Sequence, residues 1–301
     1  FRGLKNLKDL NLNGNGIKNF EKGLFNNLNE LEFLSLEENL IEKIKYENFQ
    51  SNLKLNQLNL QFNPINSIED FSFSNLYKLN TLNLDHLNIS FLSKNIFINL
   101  KTINFLHFSF NSFQIITNFT FKDQINLRRL DLQSNKIEII EENAFYGLKS
   151  LTYLYLDNNN LKSLDLKFFI NNPYLKTLSL ANNLLSHFGV DVFEGLNETL
   201  QILNLEKNNL NYIKSFYFNN LKSLKTLHLT SNKISTIEKN LLTNLVNLEN
   251  LYIDNNCLFN FNLRKPSEFD LRKLIILKLG KNVLFEIKSV WFINTPHLKE
   301  L

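Results

Sequence analysis

Residues 127–150 read LRRLDLQSNKIEIIEENAFYGLKS, with leucine at positions 1, 4 and 6, asparagine at 9, isoleucine at 11 and phenylalanine at 19. The same spacing recurs along the whole chain in steps of 24 residues, apart from one step of 25 and one of 26. A fixed period of this length is the signature of a repeat architecture. Copies begin at Leu7, Leu31, Leu55, Leu79, Ile103, Leu127, Leu151, Leu175, Leu200, Leu224, Leu248 and Leu274, and a thirteenth begins at Leu298.

Position 19 is phenylalanine in ten of the twelve copies, leucine replaces it in the tenth copy, and the longer eleventh copy has phenylalanine at position 22. The alternation at positions 3 to 7 predicts a short strand with positions 4 and 6 turned inward. One copy cannot bury its own apolar face, so a continuous core forms only when copies stack. In chain order, these twelve residues are Phe25, Phe49, Phe73, Phe97, Phe121, Phe145, Phe169, Phe193, Phe218, Leu242, Phe269 and Phe292.

The repeated pattern LxxLxLxxNxLxxLxxxxFxxLxxL resembles the leucine-rich repeat family in its 24-residue form, as found in Toll-like receptor ectodomains and in chaoptin-like and Slit-like proteins. The resemblance implies an α/β fold: a right-handed solenoid, or horseshoe, with a parallel β-sheet on the concave face and short irregular or 3-10 segments on the convex face. We expect residues 1–301 to form a single domain of about 12.5 repeats. Neither end carries a cysteine-rich cap, so we interpret the chain as an internal fragment of a longer protein.

Composition argues against catalysis, metal binding and nucleic-acid binding. The 33 basic and 29 acidic residues are interspersed, and only five of the basic residues are arginine, the residue that binds phosphate through a planar fork. The five histidines and the single Cys257 match no metal-ligand or Ser/His/Asp spacing. We therefore expect no enzyme activity, no metal and no cofactor. No run of 18 apolar residues occurs, so any membrane attachment is expected through an anchor outside this fragment.

Variable residues at positions 2, 3, 5, 7 and 8 are expected to project from the concave face, and aromatic residues and arginine gather there in the middle copies. Such residues dominate binding hot spots because they bury much area at low entropic cost. The alternative is that aromatic pairs only stabilise the sheet and that Arg129 only pairs with Asp131. The expected protein-binding patch consists of Phe62, His86, Phe105, His107, Phe110, Arg129, Asp131, Tyr153 and Tyr155.

Three N-glycosylation motifs begin at Asn88, Asn118 and Asn197. Because the chain is rich in asparagine, three motifs are no more than chance predicts, and they do not by themselves indicate secretion. An extracellular or cell-surface location, secreted or membrane-anchored, is instead what the family resemblance implies.

One copy departs from the pattern, because LDHLNIS at residues 84–90 carries Leu87 where the other copies carry asparagine. In the family this asparagine is understood to turn inward and bind backbone groups between coils. We expect water, a shifted turn or neighbouring backbone to compensate at Leu87, or Asn88 to slip into the vacant position.

Three functions remain open at this point. The first is a protein-binding scaffold in the ectodomain of an adhesion protein or receptor, which binds its partner on the concave face. The second is a pattern-recognition receptor of innate immunity, resembling Toll-like receptors, that binds a microbial ligand. The third is an intracellular interaction protein. Whether the chain also forms a homodimer is left open.

Overall fold

The computed structural model describes residues 1, 3–164, 167–238, 241–261, 271–288, 292 and 295–301. These residues group into two compact units, Phe1–Leu151 and Thr152–Leu301. Phe269, which the sequence places at the aromatic position, lies outside the described residues.

The first unit contains one main sheet whose strands recur every 24 residues and run parallel. Its order is β1-β2-β4-β6-β7-β9, and matching repeat positions pair directly, as Leu82 does with Leu106. The strands are β1 (Asp9–Asn11), β2 (Phe33–Ser35), β3 (Lys43–Ile44), β4 (Gln57–Asn59), β5 (Ser67–Ile68), β6 (Thr81–Asn83), β7 (Phe105–His107), β8 (Ile115–Ile116), β9 (Arg129–Asp131) and β10 (Ile139–Ile140), and a 3-10 helix spans Tyr46–Asn48.

The second unit repeats this arrangement, with the order β11-β13-β15-β17-β19-β20, again parallel and in register. Its strands are β11 (Tyr153–Tyr155), β12 (Ser163–Leu164), β13 (Thr177–Ser179), β14 (His187–Phe188), β15 (Ile202–Asn204), β16 (Tyr212–Ile213), β17 (Thr226–His228), β18 (Thr236–Ile237), β19 (Asn250–Tyr252) and β20 (Ile276–Lys278), and a 3-10 helix spans Ser215–Tyr217. The predicted solenoid coils with a parallel sheet and short 3-10 segments are thus confirmed in each unit.

Four pairs of two-residue strands were not expected from the sequence. They join positions 13 and 14 of successive coils as β3–β5, β8–β10, β12–β14 and β16–β18. Isoleucine or another residue with high strand propensity occupies many of these positions, and stacking brings their backbones within hydrogen-bonding distance. The flank of each coil is therefore partly ordered by a second parallel ladder.

The core is built from the residues that define the repeat. The strand leucines at position 4, such as Leu58 and Leu82, are buried, and so is the later aromatic residue. The Phe49 ring stacks between those of Phe25 and Phe73, with centroids 6.1 Å from each. Burying a side chain of this size contributes about 1.5–3 kcal/mol, and the neighbouring coil supplies most of that burial.

The asparagine at position 9 ties each coil to the one before it. The Nδ2 of Asn63 donates to the carbonyl oxygens of Leu36, Leu60 and Gln61, and its Oδ1 accepts from the Ile41 N–H. This arrangement satisfies backbone groups that the curved coil leaves unpaired. Asparagines in the same role are Asn39, Asn111, Asn135, Asn183, Asn208, Asn232, Asn256 and Asn282.

The ladder is interrupted at Leu87, whose side chain is buried, 4% exposed. An asparagine at this position would accept the Ile65 N–H through its Oδ1. With leucine there, the Ile65 N–H has no acceptor among the residues that the structure describes. Asn88 is exposed, and its own N–H donates to the Ile65 carbonyl oxygen at 2.9 Å. The expectation that Asn88 slips into the position is therefore wrong, because its backbone is held in the ordinary place and its side chain faces solvent.

Two further irregularities lie in the same coil. Residues 90–93 form no strand, although β5 and β8 occupy the same place in the coils on either side. Among the described aromatic rings, Phe73 and Phe97 also form no stacked contact, whereas Phe97 stacks on Phe121 at 5.8 Å. In the next coil, Phe108 packs its edge against Phe97 at 5.5 Å, which accounts for the aromatic residue at a position that is otherwise aliphatic.

Candidate functional site

Phe62, His86 and Phe110 occupy position 8 of three successive coils in the first unit. Their backbones are left-handed, with φ values of 53°, 54° and 56°. Every described residue at position 8 has positive φ, from Gly14 to Lys281, so the repeat imposes this conformation. The turn is held because the position-8 N–H donates to the next coil: Phe62 to the carbonyl oxygen of Asp85 at 3.2 Å, for example.

The three rings form a parallel stack, here called the aromatic column. Ring centroids are 4.3 Å apart between Phe62 and His86 and 4.0 Å apart between His86 and Phe110. Phe62 is 44% exposed and Phe110 is 49% exposed. A left-handed backbone costs about 1 kcal/mol for a residue other than glycine, and the repeat imposes this cost in every coil that lacks glycine at position 8. The fold fixes the backbone here, and the sequence places two exposed phenylalanine rings and a half-buried imidazole on it.

An ionic cluster lies on β7 and β9, on the face of the main sheet opposite the core, here called the strand face. The Nε of Arg129 lies 2.9 Å from Oδ1 of Asp131, and Nδ1 of His107 lies 2.6 Å from Oδ2 of Asp131. The Asp131 side chain is only 3% exposed. Asp131 therefore anchors Arg129 and His107, and it is these two side chains that reach the surface. Phe105 pairs with Arg129 across the strands and exposes part of its ring.

Asp85 belongs to the same cluster, although sequence reasoning did not select it. Its Oδ1 accepts the Ser109 N–H at 2.5 Å. Burial raises the pKa of Asp85, the negative charge of Asp131 adds to the rise, and the Ser109 N–H and His107 oppose it. The available signal was position: Asp85 precedes His86 of the column and stands one coil before His107, at a position that faces the strand side.

The raised pKa of Asp85 makes stability depend on pH. The folded chain holds this proton more tightly than the unfolded chain, so the contribution is fully present below the ordinary pKa of 3.8 and is lost as pH rises through the raised pKa. Asp85→Asn keeps an oxygen for the Ser109 N–H and removes the charge. We expect the free energy of unfolding of the variant, relative to the wild type, to increase from acidic to neutral pH. Urea unfolding across this range measures it, and a difference that is independent of pH contradicts it.

Tyr153 and Tyr155 of the predicted patch lie on β11 in the second unit, where Tyr153 is exposed and Tyr155 is half-buried. The second unit also presents an aromatic pair that the sequence reading missed. The rings of His228 and Tyr252 stack at 4.5 Å and 5°, and burial lowers the pKa of His228. Both residues occupy position 5 of their coils, as Tyr155 does, so a comparison of position 5 across the copies could have identified them.

The three glycosylation motifs differ in how the structure holds the asparagine. Asn88 is exposed at the edge of the column's middle coil. Asn118 is half-buried, and its Oδ1 accepts the Asn143 N–H at 2.7 Å. The Oδ1 of Asn197 is buried, without a hydrogen-bond partner among the described atoms. Of the three side chains, that of Asn88 is the one freely presented to solvent.

Neither a metal site nor a membrane span is found in the described part of the chain. No three His, Cys, Asp or Glu side chains there are grouped so that they could hold a metal ion. None of the helices described is both long and apolar enough to cross a bilayer. Cys257 is exposed and forms no disulfide.

Comparison with known protein families gives two matches that together run along most of the chain. The family described as "Leucine rich repeat" matches residues 106–161, 150–200 and 198–258, which amounts to half of the chain. The family described as "BspA type Leucine rich repeat region (6 copies)" matches residues 1–104. No curated protein matches the chain significantly.

Several solved structures are similar to this chain over its full length or nearly so. Drosophila Toll, in its complex with Spatzle, superposes with a TM-score of 0.92 at 23% identity, covering 100% of this chain and 41% of Toll. TLR13, in its complex with ssRNA13, gives 0.88 at 30% identity, covering 100% of this chain and 43% of TLR13. A Leptospira interrogans leucine-rich repeat protein gives 0.84 at 30% identity, covering 99% and 72%. The chain thus spans less than half the length of Toll and TLR13.

Proposed function

Because this chain belongs to the leucine-rich repeat family, we propose that it is a non-catalytic scaffold that binds a protein partner on the strand face of its first unit. We place it in the ectodomain of a secreted or membrane-anchored protein that acts in adhesion or receptor recognition. The observation that carries the proposal is the aromatic column, a parallel stack of three rings in which Phe62 and Phe110 are exposed.

The contact surface extends from the column to the ionic cluster. Arg129 is held by Asp131 in one orientation, with its guanidinium partly exposed beside Phe105. A side chain that is already ordered loses little entropy on binding, and arginine and aromatic residues supply most hot-spot energy. The surface therefore combines two exposed apolar rings with a positioned cation, which suits a protein partner with both apolar and acidic groups.

A second candidate is a pattern-recognition receptor for a microbial ligand, which the 30% identity to TLR13 favours. TLR13 was solved with an RNA, and single-stranded RNA binds by stacking bases on aromatic rings. The residues next to the column are acidic here, however: Glu38 occupies position 8 in the coil before Phe62, Glu37 precedes it, and Asp85 precedes His86. RNA binding depends on neutralising phosphates with basic side chains, so this surface favours a protein.

Exchanging the column for serine tests the proposal. Ser134 and Ser231 occupy position 8 elsewhere with the same left-handed backbone, so Phe62→Ser, His86→Ser and Phe110→Ser together should leave the fold intact. The chain is screened against purified secreted and cell-surface ectodomains and against single-stranded RNA oligonucleotides. We expect a protein partner whose affinity falls at least about 100-fold in the triple variant, since each hot-spot side chain contributes about 2 kcal/mol or more.

Phe91→Ser is the matched control, because Phe91 is 67% exposed but stands at position 13, away from the strand face. The control should bind as the wild type does. Equal binding by the triple variant would remove the column from the site, and preferential binding of RNA would replace the first candidate with the second.

A further inference from the structure

The two ends of the aromatic column differ in charge. Before Phe62, position 8 is occupied by Glu38, whose N–H donates to the carbonyl oxygen of Gln61 at 3.1 Å, the residue next to Phe62. Beyond Phe110, position 8 is Ser134, and the exposed Lys136 follows two residues later. The Phe62 end is thus bordered by a carboxylate, and the Phe110 end by a small hydroxyl group and an ammonium group.

Glu37 and Glu38, the carboxylates nearest the Phe62 end, form no ion pair with a described residue. Glu37 accepts from amide groups, the Nδ2 of Asn59 at 3.0 Å and that of Asn13 at 3.4 Å. Glu38 is exposed and makes no ion pair with any described residue. Asp85 accepts the Ser109 N–H, and both this hydrogen bond and His107 act to lower its pKa, which burial raises. Glu37 and Glu38 are adjacent negative charges, and a cation that binds beside them lowers the repulsion between them.

The cations of this face in the first unit are committed elsewhere or distant. Lys8 pairs with Glu32 at 3.0 Å, and Arg129 pairs with Asp131. Arg128 stands at position 2, six residues before position 8 of its coil, which is about 20 Å along an extended chain. The negative charge at the Phe62 end is therefore left for a partner to neutralise.

We propose that the protein partner presents an arginine side chain to the Phe62 end of the column, where its guanidinium stacks beside the Phe62 ring and pairs with the Glu38 carboxylate. This inference rests on the proposed function, because it names the chemistry that meets the same surface. Arginine fits better than lysine, since its planar group both stacks on a ring and donates two parallel hydrogen bonds to a carboxylate. Glutamate or phosphate groups are repelled at this end.

Four biotinylated peptides of equal length test the proposal on the intact chain. They share a Gly/Ser background and carry arginine, lysine, citrulline or glutamate at the same three positions. We expect the arginine peptide to bind about tenfold more tightly than the citrulline peptide, which keeps the planar shape but has no charge. Lysine should fall between them, glutamate should not bind, and added salt should weaken the arginine complex.

Glu38→Gln should weaken arginine-peptide binding about fivefold, whereas Glu42→Gln, the same charge change in the same coil but off the strand face, should leave it unchanged. Equal binding of the arginine and citrulline peptides, or equal effects of the two substitutions, overturns the inference. If partner binding is lost in the triple serine variant but is insensitive to Glu38→Gln, only the arginine inference fails. If neither change affects the partner, the proposed site fails as well.

Discussion

Replacing Asn111 with alanine should lower the free energy of unfolding by about 3 kcal/mol or more, because two buried backbone groups lose their partners. The Nδ2 of Asn111 is the only described donor to the Leu84 carbonyl oxygen, at 2.8 Å, and its Oδ1 accepts the Ile89 N–H at 3.3 Å. In an uninterrupted stretch of the ladder a position-6 carbonyl is shared by two asparagines, as Leu36 is by Asn39 and Asn63, but Leu87 has removed one donor here. Urea unfolding followed by circular dichroism measures the loss.

Asn232→Ala is the matched comparison in an uninterrupted part of the ladder. Leu205 and Leu229 keep donors from Asn208 and Asn256 when Asn232 is removed. Only the Leu210 N–H then loses its acceptor, so we expect this variant to lose about 1–2 kcal/mol less than Asn111→Ala. Asn88→Ala, at an exposed side chain, should be nearly neutral. Equal losses for Asn111→Ala and Asn232→Ala would contradict the view that the gap at Leu87 makes the neighbouring asparagine more important.

Phe49→Ala should cost about 3–5 kcal/mol, since it removes a buried ring and leaves a cavity that rigid neighbours cannot fill. Phe25 and Phe73 contact the ring from both sides at 6.1 Å, so three coils lose packing at once. Phe49→Leu should cost much less, because Leu242 occupies the same repeat position and is buried there. The measurement is again the free energy of unfolding.

Phe62→Ser provides the contrast for this prediction, because it removes a ring of the same size from the surface column. We expect its effect on stability to stay within about 1 kcal/mol, while its effect on binding is large. If Phe62→Ser destabilises the chain as much as Phe49→Ala, the column is a structural element, and its exposure needs another explanation.

The fold was predictable because every coil repeats the same physical requirement. A leucine at position 4 must face inward for the coil to bury anything, so the position of Leu82 on its strand follows from spacing alone. The role of Asn63 was expected from the family resemblance, and the structure confirms it. The pairs β8–β10 and their counterparts were missed because two-residue strands depend on the backbone of the adjacent coil and leave no period of their own.

The candidate site was predictable only in part. Position 8 was known to face outward, and the sequence already showed aromatic residues there in three successive coils. That the rings of Phe62, His86 and Phe110 stack in parallel depends on the left-handed turn. Asp131 was expected at the contact surface and is instead buried beneath Arg129 and His107, since a short carboxylate is covered by longer neighbours on adjacent strands.

The sequence by itself determined the period, the parallel sheet, the core and the place of the single missing asparagine, because these depend on spacing within one coil and on the identity of successive coils. The tertiary structure leaves the Ile65 N–H beside Leu87 without an acceptor among the described residues. It also decided which groups of neighbouring coils meet: the rings of the aromatic column, and Asp85 with Ser109. These contacts join residues about 24 positions apart whose orientation depends on backbone turns. The types of the residues do not specify that orientation, which depends on how the coils stack.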